Sequence, residues 1–347
     1  LCLQGGAIIG SVHLKRLDSE GQPLTFVTRL VGATTTTPGT AVDGAVLDAD
    51  KSRLPWYLLG DATQVRTVQD HAKLKLAWDL GSGLRMQGTL GWWVNRSAAD
   101  SHSYLTRTAD GTAFVSGVAG IGGRNYALSA TDFGQSREGL AHAMAGVTAR
   151  RHTGGVFDWT LAASTYDYRR DLSRAPTVAK PAADAGGAGR LTDLAGTGWT
   201  SLSAKAIWRP TAAHQLDLGV QQERYRWRQR IDNAADWMAG AATTPVSAIQ
   251  GDTELRSVFV QDAWAVDTRW KAVLGLRAED WIAYGGRKST GTAVPVTFQD
   301  RHERYLSPKA AVGFQVDPDL SLKLSTGRAV RMPTVGELFQ GNAGSDV

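Results

Sequence analysis

From Val68 to the end of the chain, apolar and polar residues alternate with a period of two, in one segment after another. A helix needs its apolar residues every three or four positions, so this alternation describes strands whose two faces meet different environments. Leu74, Leu76 and Trp78 oppose Lys73 and Lys75, and Leu84, Met86, Leu90 and Trp92 oppose Arg85, Gln87 and Thr89. Ala272, Leu274, Leu276, Ile282 and Tyr284 oppose Lys271, Gly275, Arg277 and Glu279, while Leu320, Leu322 and Leu324 oppose Ser321, Lys323 and Ser325. Similar segments run through Leu140 to Arg150, Val156 to Tyr168, Trp199 to Trp208, Gln215 to Arg228, Glu254 to Val266 and Tyr305 to Val316. An all-β chain follows. Before Val68, Ile8 to Leu17 reads as one strand, Leu24 to Asp50 as loop, and Leu54 to Thr67 as an extended connection.

The connections alternate as well. Short links fall at Gly81 to Gly83, Arg151 to Gly155, Pro210 to His214, Asp267 to Arg269 and Asp317 to Asp319. Between them lie long ones, Asn95 to Ser136, Arg169 to Gly198, Gln229 to Thr253 and Gly285 to His302, rich in Gly, Ala, Ser, Thr and Asp. If successive strands are antiparallel neighbours, every short turn emerges on one side and every long loop on the other. A transmembrane antiparallel β-barrel segregates its connections in this way, with short periplasmic turns and long extracellular loops, and a soluble sandwich has no general reason to.

Side-chain chemistry fits the same expectation. Aromatic residues sit near the strand ends: Trp92 and Trp93, Tyr166 and Tyr168, Tyr225 and Trp227, and Trp281 and Tyr284 before long loops, and Trp208, Trp264 and Trp270 beside short turns. They are expected to form the two aromatic girdles of a bilayer-spanning barrel. Charges at Arg277, Glu279 and Lys323 would be costly in a dry interior and are expected to face a water- or plug-filled lumen. Arg224, Arg226, Arg228 and Arg230, spaced by two, share one side of a strand; the expected side is also the lumen.

Other classes find little support. Uninterrupted apolar stretches such as Ala7 to Ile9 and Tyr57 to Leu59 are far shorter than the roughly 20 residues of a membrane helix. One cysteine, Cys2, removes disulfide frameworks. The net charge of +5 is spread along the chain without a nucleic-acid motif, so no nucleic-acid partner is expected. Gly117 to Gly123 lacks the order of a phosphate-binding loop and reads as an exposed glycine-rich loop; Asp43, Asp48 and Asp50 do not follow the calcium-loop spacing. The histidines at 13, 71, 102, 142, 152, 214 and 302 show no metal-ligand spacing and read as solvated or strand-end residues; no Gly-x-Ser-x-Gly elbow occurs. Neither an enzyme nor a bound cofactor or metal is expected.

The C-terminal third carries the most specific signal. Phe259-Val-Gln-Asp, Gly275-Leu-Arg, Ser307-Pro-Lys and Arg331-Met-Pro-Thr-Val-Gly-Glu-Leu appear in order between Leu255 and Gly341. Together they resemble the barrel of a TonB-dependent outer-membrane receptor. The resemblance implies a 22-stranded barrel around a plug, of which this chain supplies about eleven strands. On that expectation residues 1–347 are about half of the barrel, and the N-terminal plug and the C-terminal strands lie outside them. It further implies a Gram-negative outer membrane, contact with lipid and with the receptor's own plug, and a TonB complex engaged through a segment ahead of the plug. The ligand would be a scarce small molecule, most often a ferric siderophore and otherwise cobalamin, haem or a carbohydrate. A ferric chelate would be cargo and not a cofactor.

Loop residues Tyr104, Arg107, Arg124, Tyr126 and Trp237 are candidate first contacts, because guanidinium and aromatic groups suit an anionic metal chelate. Arg331, Pro333 and Glu337 of the family motif read as structural. The alternatives are a passive porin or adhesin barrel, and a soluble all-β carbohydrate-binding protein with an aromatic sugar platform.

Overall fold

The computed structural model describes residues 2–3, 6–18, 28–29, 33–49, 52–53 and 55–339. Its main sheet is a wall of long strands, each antiparallel to its sequence neighbours. We number these β1 (Gly6–Asp18), β2 (Gly60–Gly81), β3 (Leu84–Ser103), β4 (Ser136–Arg151), β5 (Phe157–Pro176), β6 (Gly198–Thr211), β7 (His214–Ala234), β8 (Ala242–Ala265), β9 (Trp270–Thr290), β10 (Arg301–Gln315) and β11 (Ser321–Gly327). Beyond the end of β6, the short strand Gly189–Asp193 takes its place between β5 and β7, so the ladder continues to the rim. β1 borders β2 and Cys2–Leu3, and β11 borders β10; among the described residues the sheet does not close.

The turns between β2 and β3, β4 and β5, β6 and β7, β8 and β9, and β10 and β11 are short, and the others are longer. The β2–β3 reversal needs only Ser82 and Gly83, both at positive φ (50° and 74°), the backbone twist a two-residue hairpin demands. In the β4–β5 turn, the Asp158 carboxylate accepts from the backbone N–H groups of Thr153 (2.6 Å) and Gly154 (3.3 Å) and from Arg209 of β6 (2.9 Å). One buried side chain thereby closes a turn and ties it to the next hairpin.

The long links are shorter than their composition suggests, because β3, β5, β7, β8 and β9 run on to Ser103, Pro176, Ala234, Ala242 and Thr290. Past the apolar band the outward face turns polar while aromatic residues appear on the inward one, so the simple alternation fades, yet the ladder hydrogen bonds persist. β2 likewise starts at Gly60, inside the expected connection Leu54 to Thr67. Ile8 to Leu17 lies in β1. Part of Leu24 to Asp50 lies outside the described residues; of the rest, Ala33–Thr35 and Thr40–Asp43 join Thr106–Arg107, Gly117–Ile121 and Arg124–Leu128 in a small five-stranded sheet. Leu59, Leu105, Phe114, Ile121, Leu128 and Phe133 form its core. The glycine run is thus a strand and a hairpin turn, with Gly122 and Gly123 at positive φ, and not a bare loop.

Register defines the two faces of the wall. Leu76 and Trp78 of β2 share a face with Met86, Leu90 and Trp92 of β3, Ala145 and Val147 of β4, Leu161 of β5, Leu202 and Ala204 of β6, and Leu218 and Val220 of β7. Val258 and Val260 of β8 and Leu274 and Leu276 of β9 continue it. Leu90, Leu161, Leu202, Val220, Val258 and Leu274 are each about half exposed. So continuous an exposed apolar band on a protein wall suits lipid and not water. Trp78, Phe157, Trp208, Trp264, Trp270 and Phe314 end this band on the short-turn side as one aromatic girdle. The opposite face carries Lys73, Lys75, Gln87, Lys205, Asp217 and Gln221 and faces inward. The fold is a partial transmembrane β-barrel, all-β and antiparallel.

Adjacent residues on opposite faces test this register. Ala204→Arg, at an outward position in mid-band, should destabilise the complete folded receptor by about 2–4 kcal/mol, and Ser203→Arg, facing inward, by well under 1 kcal/mol. Urea titration of the heat-modifiable folded form in detergent measures both.

Candidate functional site

Six aromatic residues and one histidine meet on the inward face toward the long-loop end. Strand pairing sets His142 of β4 beside Trp93 of β3 and Tyr168 of β5, Tyr166 beside Trp199 of β6, and Trp199 beside Tyr225 of β7. Trp227 follows on the same face of β7. The His142 ring stacks on Tyr168 at a centroid distance of 4.0 Å, and Tyr166 stacks on Trp199 at 4.5 Å. His142 Nδ1 lies 2.9 Å from the Tyr166 hydroxyl and its Nε2 lies 3.0 Å from the Asp171 carboxylate. With the carboxylate ionised, Nε2–H donates to Asp171 and Nδ1 accepts from the tyrosine. His142 is buried, whereas Trp199 is 41% exposed. The histidine fixes the row while the outer ring keeps a free surface. The histidines are expected to be solvated or at strand ends, and His142 is neither: it is buried within β4. Its parity with Met144 and Gly146, opposite the outward Ala143 and Ala145, was the available signal.

This arrangement corrects the expected girdles. Trp93, Tyr166, Tyr168, Tyr225, Trp227 and Trp281 face inward, because each has the opposite parity from the lipid-facing residues of its strand; Trp92 alone of the first pair faces out.

Inward charges lie nearer mid-wall. Arg277 donates to Glu279 (3.1 Å) and Gln221 (3.3 Å), and Glu279 accepts from the Ser307 hydroxyl (3.0 Å). Lys323 pairs in register with Gly313 on that face. Arg224, Arg226 and Arg228 do not join them. β7 pairs with β8 without a register break from His214 to Ile231, so these arginines share the outward face of Leu216, Leu218 and Val220. The period of two puts them on one side of β7, and that side is the outer one, not the lumen expected from their charge.

The motif residues build a cap. The short helix α1 (Val335–Phe339) starts at Thr334, whose hydroxyl accepts from the Glu337 N–H (3.3 Å) while the Glu337 carboxylate accepts from the Thr334 N–H (2.8 Å). This reciprocal pair is a capping box, which is why Thr and Glu stand three apart. Arg331 grips the same carboxylate with both terminal nitrogens (2.7 and 3.1 Å), and Pro333 directly precedes the cap. Val335 and Phe339 are buried against Trp281 and Ala283, with Tyr225, Trp227, Ile249 and Leu255 around them, all inward-facing. A side chain at Gly251 or Gly286 would meet the Phe339 ring at 2.6 or 2.5 Å, so bare backbone makes its seat.

The loop candidates divide. Arg124 is exposed on its hairpin, Tyr104 is partly exposed, and Arg107 lies over the Phe114 ring at 5.0 Å. Tyr126 and Trp237 cannot meet a ligand first. Tyr126 is 5% exposed in the core of the small sheet, edge-on to Tyr57. Trp237 is 2% exposed, donates its indole N–H to the Ala183 carbonyl (2.9 Å) and lies under Arg137. Among the described residues no three or more His, Cys, Asp or Glu side chains converge as a metal site requires, and no helix is long and apolar enough to cross a membrane.

The family model described as TonB dependent receptor-like, beta-barrel, matches residues 28–346. No curated protein matches the chain in sequence.

Arg331, and after it the Thr334 N–H and hydroxyl, hold the Glu337 carboxyl at about 2, below the ordinary carboxylate range. A depressed value stabilises docked α1 above the ordinary carboxylate pKa, and that contribution is lost as pH falls from about 4.5 through about 2. Amide protection at 335–339 in the complete receptor should therefore decline across that window. Glu337→Gln should lower it about fivefold at neutral pH and flatten the decline. Hydrogen exchange read by mass spectrometry measures both.

Proposed function

The chain belongs to the TonB-dependent receptor-like β-barrel family, and from that premise we propose that it takes up a ferric siderophore. Membership places it in the outer membrane of a Gram-negative bacterium, in a family of TonB-coupled transporters. The observation that supports a bulky ligand with aromatic or apolar faces is the inward row Trp93, His142, Tyr168, Tyr166, Trp199 and Tyr225, whose rings line one level of the inner wall. Stacked rings offer area at little entropic cost, and exposed Trp199 and Tyr104 leave ring surface open toward the long-loop side. Arg107 and Arg124 are cations on the loops above, fitting an anionic chelate.

The same reading gives the receptor its own plug. Below the aromatic row the inward face carries Lys73, Lys75, Gln87, Lys205, Asp217 and Gln221. Charged and amide groups on a wall call for water or polar partners, and a plug seated in the lumen supplies them at this level. An open edge in lipid leaves backbone groups unpaired at several kcal/mol each, so on this reading the wall is about half of a barrel that further strands complete.

Binding of iron-labelled chelates to outer membranes carrying the complete receptor tests the proposal. A ferric hydroxamate or catecholate should bind saturably. Tyr166→Ala and Trp199→Ala should each weaken that binding roughly three- to tenfold while leaving the folded fraction unchanged. Saturable binding of haem, cobalamin or an oligosaccharide in place of every ferric chelate would overturn the ligand assignment. Ferric-chelate uptake that persists without TonB would point to a passive porin instead.

A further inference from the structure

The outward arginines of β7 are not used by the ligand path. Beyond Val220, Arg224 and Arg226 stand four and six residues along the strand, which at about 3.3 Å per residue and a tilt near 40° puts them roughly 10 to 15 Å past the last apolar side chain that β7 itself presents outward. That height is the headgroup layer of the outer leaflet and its immediate margin. Two carboxylates lie beneath the arginines. Asp252 of β8 accepts from Arg224 (2.8 Å) and Arg228 (2.6 Å). Asp167 of β5 holds Arg169 at 2.9 Å and lies 3.7 Å from Arg226, which reaches it across Gly198, a residue with no side chain in the way.

The geometry of charge is lopsided. Asp252 and Asp167 have side chains 6% and 21% exposed, while the four arginine side chains are 36% to 63% exposed. Four cations stand over two covered anions, a local excess of two positive charges presented outward. The neighbouring Arg230–Asp232 and Arg256–Glu254 pairs are balanced. An arginine held in place by a carboxylate from below keeps its remaining N–H donors for a second partner, and its fork suits the oxygens of a phosphate.

We propose that Arg169, Arg224, Arg226 and Arg228 form a binding site on the outer wall for a phosphorylated glycolipid headgroup of the outer leaflet. Position and charge together select this occupant: a lipid headgroup is the anion found at this depth on this face, and the apolar band directly below accepts its acyl chains. The site is independent of the transported ligand, and its failure leaves the uptake assignment intact.

The complete receptor in nanodiscs of neutral lipid, titrated with bisphosphorylated lipid A, its dephosphorylated form and free inorganic phosphate, tests the proposal. Bisphosphorylated lipid A should bind at least tenfold more tightly than the dephosphorylated form, and millimolar phosphate should not displace it. Arg169→Gln combined with Arg226→Gln, which leaves both Asp252 bridges in place, should weaken binding about tenfold. Asp167→Asn should strengthen it several-fold, a change that a merely structural role for the network would not produce. Equal binding of both lipid forms, displacement by free phosphate, or unchanged affinity in a folded double variant would each overturn the site.

Discussion

A strand in hydrocarbon has no water to satisfy its N–H and C=O groups, and everything else in this molecule depends on how its neighbours supply those bonds. Each of β2 to β10 pairs with the strands before and after it, which fixes register, and register fixes faces, because side chains alternate with a period of two. Once Leu76, Leu161, Val220 and Leu274 are committed to lipid, the residues between them are committed to the lumen. The aromatic row, the Arg277–Glu279 pair and the seat of α1 are consequences of that division rather than separate inventions.

The strands were legible because the lipid and the lumen impose different chemistry on successive residues, and the short turns because two to five residues suffice to reverse an antiparallel pair. The upper strands were less so. Past the apolar band, Arg224 to Arg230 alternate with Tyr225, Trp227 and Gln229, and neither set declares which side is lipid. Counting parity from Leu216 and Val220 would have placed the arginines outside, since no bulge interrupts β7 as far as Ile231. Aromatic type misled in the same region. A tryptophan near a strand end suits a girdle on one parity and a ligand-facing row on the other, and Trp92 and Trp93 are one of each.

Tyr126 and Trp237 illustrate a different limit. Both lie in stretches rich in small residues, where composition suggests exposure, but the connection 104–135 folds a core of its own and the connection 235–241 packs Trp237 over the Ala183 carbonyl. Local sequence could not reveal these partners, which lie dozens of residues away. The motif at Arg331 to Glu337 is the opposite case: its spacing is a capping box and a bidentate ion pair within one turn, so its physical reason is fully local. What is not local there is Phe339 on the bare backbone of Gly251 and Gly286.

The central claim is that one unbroken register along β7 carries lipid-facing, headgroup-level and inward positions in turn. Spin labels placed singly at 216 to 228 in the complete receptor, reconstituted in bilayers, test it most directly. Oxygen should relax the labels at 216, 218 and 220, and nickel carried on lipid headgroups should relax those at 224 and 226, while 217, 223 and 225 respond to neither. A change of phase between 220 and 224, with labels at 225 and 227 reaching the headgroup nickel, would contradict the account.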